Sequence, residues 1–404
     1  MIEESEQLKS TAEGKAATLA DALVPWSLGG TVLTWLLTRN ATKALSILMV
    51  DFSCALKLAM PLSVLSAMRE ASTYHITVKG GRYMEAVAAA DTIVFDKTGT
   101  LTKARPQVAD VVVFNGQDKN ELLRIAACLE EHFPHSMANA VVTEAVKRGL
   151  VHQEMHSRVD YIVAHGIATY VGDERVVIGS YHFVFEDEGC RIPEDGKEAF
   201  DSLPSEYSHL YLAIGGVLAA VICIEDPLRE EADAVISALH RQGISKIVMM
   251  TGDSERTARA IAARVGVDEC YSEGLPEDKA GFVEAEKKKG HKVIMIGDGI
   301  NDSPALSSAD VGIAISEGAE IAREIADITI AADDLFELVK LRALSAALMG
   351  RIHSNYRFVI GFNGSLIVLG ALGVLAPATS AMLHNLSTLG VSLRNMTNLL
   401  PSKT

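Results

Sequence analysis

Thr92-Ile93-Val94-Phe95-Asp96-Lys97-Thr98-Gly99-Thr100-Leu101-Thr102 is the stretch that decides the fold class of this chain. Its first four residues, β-branched or aromatic, read as a buried strand, and the polar tail after them begins with a carboxylate. Open α/β sheets hold their ligands just beyond the carboxyl ends of the strands, so Asp96 stands where a nucleophile for a phosphoryl group belongs. An ordinary N-cap or turn aspartate would account for Asp96 alone, but not for seven specified residues in order.

Two further strand-and-loop segments follow. Ile247-Val248-Met249-Met250 ends in Thr251-Gly252-Asp253, and Val293-Ile294-Met295-Ile296 runs into Gly297-Asp298-Gly299-Ile300-Asn301-Asp302-Ser303-Pro304-Ala305-Leu306. Between them Pro276-Glu277-Asp278-Lys279 offers a lysine to neutralise phosphate charge. One strand–Gly–Asp turn is common in Rossmann-like loops; a nucleophile, a hydroxyl, a lysine and paired aspartates in this order are not.

The segment 96–102 resembles the phosphorylation signature of P-type ATPases, cation pumps that pass through an aspartyl-phosphate. The three loops together resemble the haloacid-dehalogenase-like core that these pumps share with many phosphatases. The resemblance implies Asp96 as nucleophile on the γ-phosphate of ATP. It implies Mg²⁺ held by Asp96, Asp298 and the main-chain carbonyl of Thr98, hard oxygen donors suited to that ion. Thr251, Lys279 and Asn301 would bind the transferring phosphoryl oxygens, with Asp302 orienting the cluster. Lys97, Gly252 and Asp253 complete the candidate catalytic set. Thr98 stands where related phosphatases carry an acid–base aspartate, so the phosphoenzyme is expected to persist, which favours a pump.

Composition sets the outer limits. A chain of 404 residues accommodates two or three domains. With 49% hydrophobic and 22% charged residues and a mean hydropathy of +0.20, the apolar residues must lie in blocks. A net charge of −15 without a basic aromatic patch argues against nucleic acid. The five cysteines are scattered without a CxxC pair, which favours a reducing environment over a disulfide scaffold. The polar, acidic start does not read as a cleavable signal peptide.

Apolar blocks over 19–38, 44–68, 358–376 and 378–400 are candidate membrane spans. Arg69, Lys79, Arg82, Arg342, Arg351 and Arg357 flank the central region and place it in the cytoplasm. The expected fold is therefore membrane α-helical segments plus α/β: a haloacid-dehalogenase-like, Rossmannoid phosphorylation domain with an inserted α+β nucleotide-binding domain. The expected divisions are a linker at 1–18, a transmembrane pair at 19–70 and the phosphorylation domain at 71–103 and 220–342. The nucleotide-binding domain is expected at 104–219 and a second transmembrane pair at 343–404. The expected location is a cell membrane, multi-pass, of the bacterial plasma-membrane kind.

Within the insert, heavy-metal P-type ATPases recognise adenine through a His-Pro dipeptide preceded by a glutamate. The resemblance points here to His135 and Glu130, although Ser136 replaces the proline. It also points to Gly166 and Ile167, and to Gly179, as glycine-loop contacts; a capping or surface role is the alternative for His135. Phe52-Ser53-Cys54-Ala55-Leu56-Lys57-Leu58-Ala59-Met60-Pro61 resembles the Cys-Pro-Cys helix of these pumps, with only Cys54 retained. Cys54, Asp51 and His384 are the candidate ligands for the transported ion, and a thiolate, a carboxylate and an imidazole suit a divalent ion better than Cu⁺. An Asp51–Lys57 charge pair with an inert cysteine is the alternative. No Thr-Gly-Glu tripeptide, the family's actuator signature, occurs in the sequence, so the chain reads as the C-terminal part of such a pump. The competing classes are a membrane-tethered dehalogenase-type phosphatase and a catalytically incomplete pump remnant.

Overall fold

The computed structural model describes residues 11–103, 105–114, 116–131, 136–150, 160–162, 166–272, 274, 276–298, 302–315, 324–331 and 334–401. The α/β part is built on thirteen strands among these residues. They are β1 (Ile76–Val78), β2 (Thr92–Asp96), β3 (Gln107–Val113), β4 (Asp160–Ile162), β5 (Gly166–Val171), β6 (Glu174–Gly179), β7 (Ser208–Ile214), β8 (Val217–Glu225), β9 (Lys246–Met250), β10 (Glu269–Tyr271), β11 (Val293–Gly297), β12 (Val311–Ile315) and β13 (Ile328–Ile330). Seven of them form a sheet in the order β1-β13-β12-β11-β2-β9-β10, and the other six follow the order β3-β8-β7-β6-β5-β4.

In the first sheet β9–β10, β11–β12 and β12–β13 pair in parallel, and β1 closes an edge antiparallel to β13. All five residues of β2, β11 and β12 are buried. That is why these strands read as continuous apolar runs: both faces of a parallel sheet are covered.

The chain packs as two compact units. One comprises Met1–Val94, Ala234–Lys246 and Pro276–Thr404; the other comprises Phe95–Asp233 and Ile247–Leu275. In the second unit the six-stranded sheet is antiparallel throughout, and its side chains alternate between two cores. Ile167, Ile178, Leu210, Leu212 and Ile222 pack on helices Lys119–Glu130 and Ser136–Lys147. Val177, Tyr211, Ala213 and Val221 pack on the other face with Phe183, Val184 and Leu203. The sheet continues through β8 to Glu225, so the boundary expected at residue 219 falls inside a strand. Segments 95–103 and 247–275, expected with the phosphorylation domain, also belong to this unit.

The first unit carries helices Thr11–Thr38, Ala41–Leu48, Phe52–Ser72, Phe336–Leu372 and Pro377–Asn395. The run expected as one span over 44–68 is interrupted. Val50 N bonds the carbonyl of Ile47 (3.2 Å), and this tighter pattern ends the helix before a new one begins at Phe52. The run at 358–376 is likewise cut, because the helix that contains it ends at Leu372. Among the described residues, no helix is long and apolar enough to cross a membrane.

Candidate active site

Asp96 ends β2 and is buried, at 6% exposure. The chain then reverses through Gly99, whose φ of +75° is a conformation that a side chain would strain. Thr102 closes this turn: its hydroxyl accepts from the amide of Gly99 (3.0 Å) and donates to the carboxylate of Asp226 (2.6 Å). The buried Arg229 fixes the outer wall, its Nε donating to the carbonyl of Thr100 (3.0 Å) and its amide to that of Leu101 (2.9 Å). Burial raises the pKa of Asp226 against the pull of the Thr102 bond and the Lys97 charge.

In the same unit the buried Lys97 ammonium donates to Asp253 Oδ2, which also accepts from Thr251 Oγ1 (2.9 Å). Ser208 Oγ donates to the other oxygen, Asp253 Oδ1, at 2.9 Å. Burial alone would raise the pKa of Asp253, but the Lys97 charge and the bonds from Lys97, Ser208 and Thr251 overcome it and hold the carboxyl below its usual range. The loop is thus anchored around a charged carboxylate. Thr251 is further fixed by its amide, which donates to the carbonyl of Tyr271 (2.9 Å).

In the other unit Lys279 Nζ donates to Asp302 Oδ1 at 2.7 Å, with both residues buried. Asp302 Oδ2 is buried and has no hydrogen-bond partner among the described residues. Burial raises the pKa of this carboxyl, against the opposing charge of Lys279. Asp298 follows β11 directly. Asn301 lies outside the described residues. Asp96, Asp298 and the Thr98 carbonyl, the oxygen donors that the resemblance implies for Mg²⁺, are each of the hard type that this ion takes, and they would hold it. The ion would supply Lewis-acid neutralisation of phosphate charge there.

A cavity of about 790 Å³ opens within the second unit. Glu130, Gly166, Ile167 and Gly179, all expected from the sequence to meet nucleotide, line it together with Gly252 and Asp253. His135 lies outside the described residues. Gly166 and Gly179 are register partners across β5 and β6, and Gly179 pairs in turn with Tyr211 of β7. A Cβ at Gly166 would strike the ring of Phe183, so this glycine also makes room for an aromatic core. Tyr181, Ser208, His209 and Tyr211 line the cavity as well. Sequence reasoning missed Ser208, His209 and Tyr211, because only strand pairing brings β7 beside the glycines, and it passed over Tyr181, two residues beyond Gly179.

The transport candidates are less assembled. Lys57 pairs with Asp21 (2.5 Å) rather than with Asp51. His384 is buried, and its Nδ1 lies 3.2 Å from Asn363 Oδ1. Cys54 sits on helix Phe52–Ser72, and its side chain lies outside the described residues. Among the described residues no group of three His, Cys, Asp or Glu side chains gathers to hold a metal.

The family model for haloacid dehalogenase-like hydrolases matches residues 90–310, the interval that carries all three loops. The chain belongs to the haloacid dehalogenase-like hydrolases. Among curated proteins it is 33% identical over 393 residues to a zinc-exporting P-type ATPase of Mycobacterium marinum, covering 96% of this chain and 53% of that one. It is 32% identical to a manganese-exporting P-type ATPase of Mycobacterium leprae (96% and 54% covered). It is 34% identical to copper-transporting ATPase 2 of Rhizobium meliloti (93% and 47% covered). The chain thus spans about half the length of the curated relatives it matches. A zinc-transporting PIB-type ATPase in the E2.Pi state superimposes with a TM-score of 0.72 at 29% identity, over 93% of this chain and 62% of that one. The catalytic domain of the CPx-ATPase CopB-B gives a TM-score of 0.53 at 27% identity, over 69% and 98%.

Proposed function

We propose that this chain carries the phosphorylation and nucleotide-binding machinery of an ATP-driven exporter of a divalent transition-metal cation. One observation carries the reading. The cavity lined by Glu130, Gly166, Ile167 and Gly179 extends to Gly252 and Asp253, and Asp253 holds Lys97, the residue next to the Asp96 nucleophile. A nucleotide seated by its base at the glycines would send its phosphates toward that loop. An Asp96 carboxylate oxygen then forms the bond to the γ-phosphorus, the bond from phosphorus to the β,γ-bridging oxygen breaks, and ADP leaves with the electron pair. Lys97, Lys279 and the Thr251 hydroxyl are the groups available to steady phosphate charge, and His135 and Asn301 keep the roles that the resemblance implies. Thr98 supplies no acid–base carboxylate, so the aspartyl-phosphate has no neighbour at that position to promote its hydrolysis.

Export implies a bilayer; no described helix is long and apolar enough to cross one by itself, and we propose that helices Thr11–Thr38, Phe52–Ser72, Phe336–Leu372 and Pro377–Asn395 meet it through their exposed apolar faces. Trp26 (78% exposed), Leu37 (76%) and Leu65 (62%) present apolar surface that lipid would cover. Two buried polar pairs join the helices Phe336–Leu372 and Pro377–Asn395: Asn355 Nδ2 donates to Asn395 Oδ1 (2.6 Å), and His384 Nδ1 lies 3.2 Å from Asn363 Oδ1. Ser345 Oγ, Asn363 Nδ2 and Ser380 Oγ are buried without a hydrogen-bond partner among the described residues. The mixed donors Asp51, Cys54 and His384 favour a divalent ion; the relatives include zinc and manganese exporters and a copper transporter, so the donor set carries that choice.

The test is phosphoenzyme formation. With γ-labelled ATP and Mg²⁺, the chain should acquire an acid-stable, hydroxylamine-labile phosphate, and Asp96→Asn should abolish it. Label that persists in the Asn variant would remove the pump reading.

A further inference from the structure

Three hydrogen bonds stitch the segment leading into β7 to the loop and helix after β9. The Arg256 guanidinium donates to the carbonyl of Leu203. Thr257 Oγ1 donates to the carbonyl of Tyr207 (3.2 Å), and Ser208 Oγ donates to Asp253 Oδ1 (2.9 Å). The first two bonds end on main-chain carbonyls and hold the seam whatever the state of the charged groups. Ser208 differs, because its hydroxyl reaches the side chain that holds Lys97.

We propose that Ser208 is a positioning residue that carries nucleotide occupancy of the cavity to the Lys97–Asp253 pair. The inference rests on the nucleotide reading above and deepens it. Ser208 opens β7, the same strand that presents His209 and Tyr211 to the cavity. It is 45 residues from Asp253 in sequence, and nothing in either local motif demands the bond. Asp253 Oδ2 is occupied by Lys97 and Thr251, both anchored in the phosphorylation loops, while Oδ1 is held from the nucleotide sheet. The carboxylate is therefore strung between the two, and its orientation fixes where the Lys97 ammonium points. A ligand that moves β7 against the glycine strands moves Ser208, and through it the carboxylate. Hydrogen bonds to a charged group are strong enough for this to matter, whereas a bond that only braced the fold would serve every phosphate donor alike.

That contrast defines the experiment. Phosphoenzyme formation is measured on the 404-residue chain with saturating ATP and, separately, with acetyl phosphate, a donor without a nucleoside. Saturation excludes a change in nucleotide occupancy. Ser208→Ala should lower the ratio of the ATP-driven to the acetyl-phosphate-driven rate by about tenfold, the size expected for losing one hydrogen bond to a charge. Ser208→Thr, which keeps the hydroxyl, should restore the ratio. An equal fall with both donors, or no change with either, overturns the coupling role while leaving the nucleotide reading in place. A parent chain that neither donor labels overturns the phosphoryl-transfer reading, and this inference with it.

Discussion

At the scale of single residues, the motif side chains act through their partners. Lys97 was legible as a candidate from its place in the 96–102 segment, but its partner Asp253 lies 156 residues away in sequence. His209 was not legible, since a lone histidine on a strand carries no signal. Its position predicts a pH dependence. Burial, then the nearby Arg256 charge, lowers the imidazole pKa from the ordinary 6.5. A histidine with a depressed folded-state pKa binds fewer protons folded than unfolded just below pH 6.5, so stability is full above that value and falls as pH drops toward the folded pKa. Replacing His209 with Gln should flatten this acid limb. Urea midpoints at about pH 7.5 and about pH 5.5 check it, and a parental slope in the variant would contradict the assignment.

Strands and helices set the next scale. The period-two alternation of the inserted sheet sorts its side chains into two cores, and Gly166 meets one of them, where a Cβ would collide with Phe183. Gly166→Ala should therefore destabilise the protein by about 1–3 kcal/mol, the usual penalty for overpacking. ATP binding should weaken with it, because β5 lines the cavity. Phe183→Leu in the same chain should recover part of the stability by relieving the clash. Thermal unfolding of the two variants checks this, and a neutral Gly166→Ala would show that the glycine serves only the ligand. The helices of the first unit were legible as apolar blocks but not in their breaks. Hydropathy averages over a window, whereas the chain stops a helix at individual residues, after Leu48 and after Leu372.

For the whole molecule, the 404-residue chain carries the groups proposed to form an aspartyl-phosphate, and its sequence contains no Thr-Gly-Glu tripeptide. Its steady-state ATP turnover should be slow, limited by phosphoenzyme breakdown. If the proposed function holds, joining the chain to the part of a curated relative that it does not match should raise turnover and make it responsive to Zn²⁺, Co²⁺ or Mn²⁺. Side-by-side turnover of the two proteins under the same metals checks this. Fast, metal-stimulated turnover by the short chain alone would imply another hydrolytic group within it.

The sequence by itself determined the three strand-and-loop segments that carry the candidate site, because each is contiguous: a buried strand announces itself by its apolar run, and the polar residues follow within a few positions. It also determined that apolar helices flank an α/β centre, since composition must segregate to reach its mean hydropathy. Tertiary structure alone decided which distant residues complete each loop. Ser208 reaches Asp253, and Lys57 meets Asp21 rather than Asp51. Tyr211 joins Gly166 and Gly179 in one row. The physical reason is the same in each case. Strand register and helix packing are fixed by the summed burial of many side chains, so the neighbour of any one polar group is a consequence of the whole core and is not written beside it in the chain.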